Sequence, residues 1–461
     1  MKSALSSYRQ VYFLGIGGIG MSAIARYFST YGLKVAGYDR TSTPLTDELK
    51  AEGMNIHFAD DLSVVPDSYR DPAMKEATLV ILTPAVQKEH KELQFFLTNG
   101  YTVMKRAQVL GLITAEETTL AVAGTHGKTT TSSILAHILK ATGANVTAFL
   151  GGIAVNYNSN YIAGNPAAQG HMIVVEADEF DRSFLTLFPE MAVITSMDPD
   201  HLDIYGDEHE MRNTYHSFAA QVKKLLVLNQ QLEIPLSNAR VLPYGIDGKS
   251  PYRATHIHVE EGKYRFDLVT PGYILKGLRL GLPGRHNIEN AVAASAIALE
   301  SGIDPAGLSE ALASYRGVHR RFEVCVNTPE VVYIDDYAHH PAELKAAILS
   351  TRELFPGKKI TGVFQPHLFT RTRDFADGFA ESLDLLDEAF LLEIYPAREL
   401  PIAGISSATI LSKMKLSLKS IVTPEELIAH IRKSKPEVLL TLGAGDIDRL
   451  ARPLTQLFTA A

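Results

Sequence analysis

The chain has 461 residues, 46% of them apolar and 21% charged, the composition of a globular protein and not of a disordered one. Its net charge of −8 argues against a general nucleic-acid binder, which needs a basic surface. A nucleotide ligand is still allowed, because a few local groups suffice to hold one. The single cysteine, Cys325, excludes an intrachain disulfide and a Cys-rich zinc site, and it fits a reducing compartment. No apolar run approaches the roughly 18 residues of a membrane span, and residues 1–10 lack the apolar stretch of a signal peptide. A cytoplasmic protein with no membrane or nucleic-acid partner is expected.

The length predicts about three domains, and the elements fall into three successive α/β units. In the first, 10–15 reads as a buried strand, followed by a glycine-rich turn and a helix over 21–31. A second strand over 33–38 ends at Asp39, and a third covers 78–82. Strand, helix, strand in this order implies a parallel sheet with right-handed crossovers. This unit is expected over 1–105. The second opens on a strand at 118–123 and a helix at 132–142. Strands over 174–176 and 192–195 follow, with an Ala-rich helix over 287–301; it is expected over 106–316. The third, over 317–461, has strands at 331–334, 360–364 and 438–442. In such sheets ligands bind beyond the carboxyl ends of the strands, and most of the polar and Gly-rich motifs come just after a predicted strand.

Gly15, Gly17, Gly18 and Gly20 lie in GIGGIG, which fits G-x-G-x-x-G between a strand and a helix. Such a turn lets backbone N–H groups approach a diphosphate at the helix N-terminus. Asp39, 24 residues after Gly15, suits a ribose. Alone, this motif would suggest a nicotinamide dehydrogenase.

A second loop changes that reading. Gly124-Thr125-His126-Gly127-Lys128-Thr129-Thr130 is a P-loop variant, with Val122 at the place of the usual first glycine. Its backbone would cradle phosphates, Lys128 would place charge near the β/γ oxygens, and Thr129 offers a hydroxyl to Mg²⁺. Two phosphate loops in separate units leave a dehydrogenase without a use for the second.

Carboxylates follow the next strands. Glu176-Ala177-Asp178-Glu179 suits a magnesium ion carried by ATP, and Asp198-Pro199-Asp200-His201 offers a further ligand. His286 and Asn290, four apart on one helix face, suit a base edge. Arg321, in HRRFE, lies where two units join and suits a γ-phosphate. Asp335-Asp336-Tyr337-Ala338-His339-His340 and Gln365-Pro366-His367-Leu368-Phe369-Thr370-Arg371 each follow a strand. The paired histidines lack a convincing third zinc ligand, and Arg371 suits a carboxylate. Lys128, Glu176 and Arg321 together argue against a catalytically silent nucleotide-binding regulator.

Taken together, GIGGIGMS, GTHGKTTT, EADEFDRSF, DHLDIYG, GRHNIENA, HRRFE, DDYAHHP and QPHLFTRTRDF resemble the Mur ligases of cell-wall precursor synthesis. The resemblance covers essentially the whole chain, in that family's three-domain order. It implies an α/β fold with a Rossmann-like N-terminal domain for a UDP-sugar. A central P-loop ATPase-type domain follows, then a Rossmann-like C-terminal domain for ATP and the amino acid. It also implies ATP and Mg²⁺ as cofactors. Lys128, His201 and Arg321 are expected to be catalytic, and Thr129, Glu176 and His201 to serve the metal. Residues 124–130, His286, Asn290, Arg321 and Asp336 would hold ATP. Gly15, Gly17, Gly18, Gly20 and Asp39 would hold the UDP-sugar, and Tyr337, His339, His367 and Arg371 the amino acid.

The branch most resembled adds L-alanine to UDP-N-acetylmuramate through an acyl phosphate, as a monomer or homodimer; a branch adding a recycled tripeptide is the alternative. Other relatives carry a carbamoylated lysine shortly after the DH motif; here that stretch reads MRNTYHSF. The branch often reads QPHRYTRT, whereas this chain has Leu368 and Phe369 in place of the Arg and Tyr. Its uracil-side segment often reads SSAI; here residues 83–86 are TPAV. Hinge closure of the domains is expected, to keep water from the acyl phosphate.

Overall fold

A computed structural model describes residues 5–198, 205, 207–235, 237–260, 263–397 and 399–459. Three sheets organise the chain. The first holds β1 (Gln10–Leu14), β2 (Lys34–Tyr38), β3 (Asn55–His57), β4 (Thr78–Leu82) and β5 (Thr102–Lys105). Their order is β3-β2-β1-β4-β5, with every pair parallel. The parallel pairing expected for this unit is therefore observed. All five residues of β1 are buried, which explains why it reads as a continuous apolar run rather than an alternating one.

The second sheet contains β6 (Thr118–Ala123), β7 (Val146–Ala154), β8 (Ser159–Ile162), β9 (Met172–Glu176), β10 (Met191–Ile194), β11 (Leu225–Asn229) and β12 (Arg240–Ile246). They run in the order β12-β11-β10-β6-β9-β7-β8. Here β8 pairs antiparallel to β7. Strands β13 (Tyr252–Glu260), β14 (Lys263–Val269) and β15 (Ile274–Arg279) follow in the chain.

The third sheet holds β16 (Glu323–Asn327), β17 (Val332–Asp336), β18 (Ile360–Phe364), β19 (Glu388–Leu391), β20 (Lys419–Ile421) and β21 (Val438–Leu442). It is parallel except for β16, which pairs antiparallel to β17.

Register sets the functional edge of each sheet. Leu14 pairs with Tyr38 and Leu82, Ala123 with Ile194, and Leu442 with Asp336 and Phe364. The carboxyl ends are therefore level, and each motif leaves its sheet at the edge where ligands bind in such folds.

The chain divides into two compact units, residues 1–254, 268–275 and 289–312, and residues 255–267, 276–288 and 313–461. The first two sheets share the first unit. Helix α1 (Ile19–Thr30) joins them: the Tyr27 ring lies 5.6 Å from Phe149 and 6.4 Å from Tyr161. Beside these rings sits a buried polar knot. Asn160 Nδ2 donates to Ile19 O at 2.5 Å and to Ser22 Oγ at 2.8 Å, and its Oδ1 accepts from Arg26 Nη1 at 2.5 Å. Arg26 in turn grips Glu52 with two nitrogens. No helix among the described residues is long and apolar enough to cross a membrane.

Replacing Asn160 with Ala strands a buried guanidinium N–H of Arg26, while Ile19 O keeps the Ser22 hydroxyl as donor. The expected loss is about 2–3 kcal/mol, read as a lower urea midpoint. A loss below about 0.5 kcal/mol, the usual range of an exposed substitution, would show that water replaces these bonds freely.

Candidate active site

The first glycine loop leaves β1 and ends in the first turn of α1. Gly15 N and Ile16 N both donate to Tyr38 O, at 2.8 and 3.0 Å. Asp39 Oδ2 accepts from Gly17 N at 2.7 Å. The carboxylate expected at a ribose thus shapes the loop in this structure. Gly18 caps α1 without a side-chain bond, and the first turn carries no acidic residue, an arrangement that favours an anion. At Gly20 a Cβ would stand 2.5 Å from Arg106 Nη1. Arg106, the first residue of α2 (Arg106–Thr114), therefore lies over the opening turn of α1.

The second loop joins β6 to α3 (Lys128–Ala141). Gly124 has φ +134°, and a Cβ there would meet Thr195 Oγ1 at 2.0 Å, so only glycine fits. The loop is fastened to the segment after β10. Thr125 N donates to Ser196 O at 3.2 Å, Thr125 Oγ1 to Asp198 O at 2.8 Å, and His126 N to Ser196 Oγ at 2.8 Å. Gly127 caps α3 in the left-handed region, and buried Thr129 and Thr130 fill its first turn. Asn290, in α4 (Arg285–Glu300), lies against Gly127, its Oδ1 2.7 Å from where a Cβ would stand.

Lys128 Nζ turns inward. It donates to Gly124 O at 2.6 Å, to Thr125 O at 3.2 Å and to Glu179 Oε1 at 2.9 Å. Desolvation pushes its pKa down, but Glu179, Glu176 and Asp178 outweigh that and hold the ammonium above its ordinary range. The three carboxylates from the end of β9 onward thus have separate neighbours. Glu179 pairs with Lys128. Asp178 accepts from Arg106 Nη2 at 3.0 Å and from Phe180 N at 3.1 Å. Glu176 packs against Gly151 of β7. Ion pairs thus engage Asp178 and Glu179. No group of three His, Cys, Asp or Glu residues able to hold a metal ion occurs among the described residues. Asp200 and His201 lie outside the described residues.

In the second unit, the remaining site residues cluster around the ends of β17 and β18. Asp336 Oδ2 accepts from Phe322 N at 2.6 Å, and its Oδ1 from Ala338 N at 2.7 Å. The residue expected at the ATP ribose thus pins two turns together; burial lifts its carboxyl to about 7, despite Arg321. The guanidinium groups of Arg320 and Arg321 each lie 5.0 Å from the Tyr337 ring. The ring of His339 is 5.3 Å from that of Tyr337 and 6.1 Å from that of His367. Arg371 is buried on α5 (Phe369–Asp374). The four residues expected at the amino acid are thus gathered by the end of one sheet.

Both flanking histidines are neutral at pH 7. Desolvation lowers His339 to about 4, with Arg371 and Arg321 adding to it and Glu343 opposing. Desolvation, with Arg321, brings His286 to about 4 as well. His286 Nδ1 is 3.4 Å from Ser350 Oγ, so it belongs to the second unit while Asn290 belongs to the first.

A lowered histidine pKa favours the fold above the unfolded value of 6.5, and that contribution is lost as pH falls through about 4. The His339→Gln variant should therefore show a flatter decline of thermal midpoint between pH 6.5 and 4 than the parent. Equal slopes would place the proton uptake elsewhere.

Sequence reasoning missed Arg106, and it offered Glu179 to a metal. Arg106 opens an ordinary helix and its partner is 72 residues away, so nothing local marks it.

The chain matches the Mur ligase family, catalytic domain, over residues 10–118. It matches the Mur ligase middle domain over 122–298 and the Mur ligase, glutamate ligase domain over 320–445. It belongs to the Mur ligase family. A UDP-N-acetylmuramate–L-alanine ligase of Flavobacterium johnsoniae is 49% identical over 453 residues, 98% of each chain. One from Porphyromonas gingivalis is 49% identical over 97% of this chain and 98% of its own. The crystal structure of UDP-N-acetylmuramate-alanine ligase from Thermotoga maritima superposes with a TM-score of 0.82 at 30% identity, covering 98% of this chain and 99% of that one. A murein peptide ligase from Psychrobacter arcticus shares the fold, with a TM-score of 0.69 at 19% identity over 98% of this chain and 99% of its own.

Proposed function

We propose that the chain joins L-alanine to the carboxylate of UDP-N-acetylmuramate, using ATP and releasing ADP and phosphate. The observation that carries this reading is the near-half identity, along the whole chain, to ligases named for that reaction. The proposed division of labour assigns the UDP-sugar to 1–105, ATP to 106–316, and the amino acid with part of ATP to 317–461. A cytoplasmic setting goes with these substrates.

The muramate carboxylate oxygen attacks the γ-phosphorus of ATP, the bond to the β-phosphate oxygen breaks, and ADP leaves. Lys128, kept protonated by the carboxylates around it, supplies positive charge to the transferring oxygens. Arg321 adds a second cation. The amine of alanine then attacks the acyl carbon, loses a proton, and phosphate departs. Magnesium suits one carboxylate and a hydroxyl together with substrate phosphates, which is what Glu176 and Thr129 offer beside the loop. When bound it would neutralise charge on the β and γ oxygens. Arg371 holds the alanine carboxylate as a bidentate fork, with neutral His339 and His367 beside it.

Phosphate release with ATP and UDP-N-acetylmuramate tests the reading, each amino acid and the murein tripeptide being added in turn. L-Alanine should give the highest kcat/KM; a preference for the tripeptide would assign the chain to the recycling reaction instead.

Arg371→Ala should lose on the order of 2–4 kcal/mol of transition-state stabilisation, or roughly 30- to 900-fold in kcat/KM for alanine. The KM values for ATP and UDP-sugar should change little. Alanine kinetics within threefold of the parent would remove Arg371 from the carboxylate contact.

A further inference from the structure

The stretch bearing His367 and Arg371 has no local means of keeping its shape. Leu368 sits at φ +69°, a costly region for a branched side chain. The helix after it, α5, spans six residues and has no side-chain cap of its own. A helix this short does not support itself, and its first N–H groups need acceptors.

Those acceptors come from 30 residues further along the chain. Glu399 Oε2 accepts from Phe369 N at 2.6 Å and from Thr370 N at 3.0 Å. Its Oε1 accepts from the Thr370 hydroxyl. Tyr395 holds the other end: its N–H donates to Pro366 O at 2.9 Å, and its carbonyl accepts from Leu368 N at 3.0 Å. The Tyr395 ring stacks on that of His367, 5.8 Å apart and 19° from parallel. Tyr395 and Glu399 therefore hold both ends of the stretch that presents His367 and Arg371. A negative carboxylate is also the favoured charge at a helix N-terminus.

We propose that Glu399 is a positioning residue for the amino-acid pocket: by capping α5 from a distance it sets where Arg371 and His367 stand. This rests on the reading of Arg371 as the partner of the alanine carboxylate. Glu399 is half-buried and its neighbour Leu400 is 85% exposed, so a truncated side chain at 399 empties no core.

The test is steady-state kinetics of Glu399→Ala, Glu399→Gln and Arg371→Ala, with ATP binding measured by calorimetry as a control of folding. Glu399→Ala should raise the alanine KM on the order of tenfold and leave the KM values for ATP and UDP-N-acetylmuramate within about twofold. Glu399→Gln keeps one oxygen acceptor and should recover most of that loss; it carries the test if the alanine variant does not fold. An unchanged alanine KM in Glu399→Ala, or a parallel rise in all three KM values, overturns the proposal. If Arg371→Ala raises the alanine KM and Glu399→Ala does not, positioning alone has failed. If Arg371→Ala also leaves it unchanged, the carboxylate reading has failed and the proposal falls with it.

Discussion

A protonated lysine held inside a glycine loop is the constraint around which the first unit is arranged. Removing an ammonium from water is expensive unless it is paired and hydrogen-bonded. Lys128 meets both conditions, with two loop carbonyls and Glu179 as acceptors. Glu179 is 3% exposed and would be costly without the lysine, so each stabilises the other's charge. The same acidic segment carries Asp178 to Arg106, and Arg106 lies over Gly20 of the first loop. One chain of charges therefore runs from the loop assigned to the sugar nucleotide to the loop assigned to ATP.

Acidic residues used as fasteners recur through the molecule. Asp39 holds Gly17, Asp336 holds Phe322 and Ala338, and Glu399 holds Phe369 and Thr370. In each case a carboxylate accepts backbone N–H groups that an irregular segment cannot satisfy within itself. This explains how a chain of net charge −8 suits anionic substrates. Asp39, Asp178 and Glu179, beside the loops, are already occupied by cations or backbone donors, and their negative charge is offset locally.

How far the sequence revealed this depends on what each feature needs. Strands 78–82, 118–123, 360–364 and 438–442 stand where their apolar runs predict, because strands covered on both faces leave a continuous signal. Helix α3 begins at Lys128, four residues before the expected 132. Its first turn is KTTT, and the apolar period starts only after it. The strands β3, β5, β7–β8, β11–β16, β19 and β20 went unread. In β13, YRATHIHVE, half-exposed residues alternate with two buried residues and then with exposed ones, so no continuous apolar run forms; in β7, a Gly-Gly pair interrupts the run. The loops were legible as motifs because their glycines and lysine are local. The roles of Asp39, Asp336 and Glu399 were not, since a sequence shows a carboxylate but not the N–H groups the fold brings to it.

The second unit balances its titrating groups against one fixed charge. His286 and His339 take up protons poorly when folded, so their contribution to stability falls as pH drops from 6.5 to about 4. Asp336 works in the opposite sense. Its carboxyl is raised from 3.8 to about 7, so its contribution is greatest below pH 3.8 and is lost as pH rises through 7. Over the shared window the slopes oppose each other. Arg321 acts on all three groups, lowering each. Near neutrality the result is a cluster of neutral imidazoles beside guanidinium groups. In the proposed pocket an incoming alanine carboxylate would meet these guanidinium groups, while neutral histidines could accept hydrogen bonds from its ammonium.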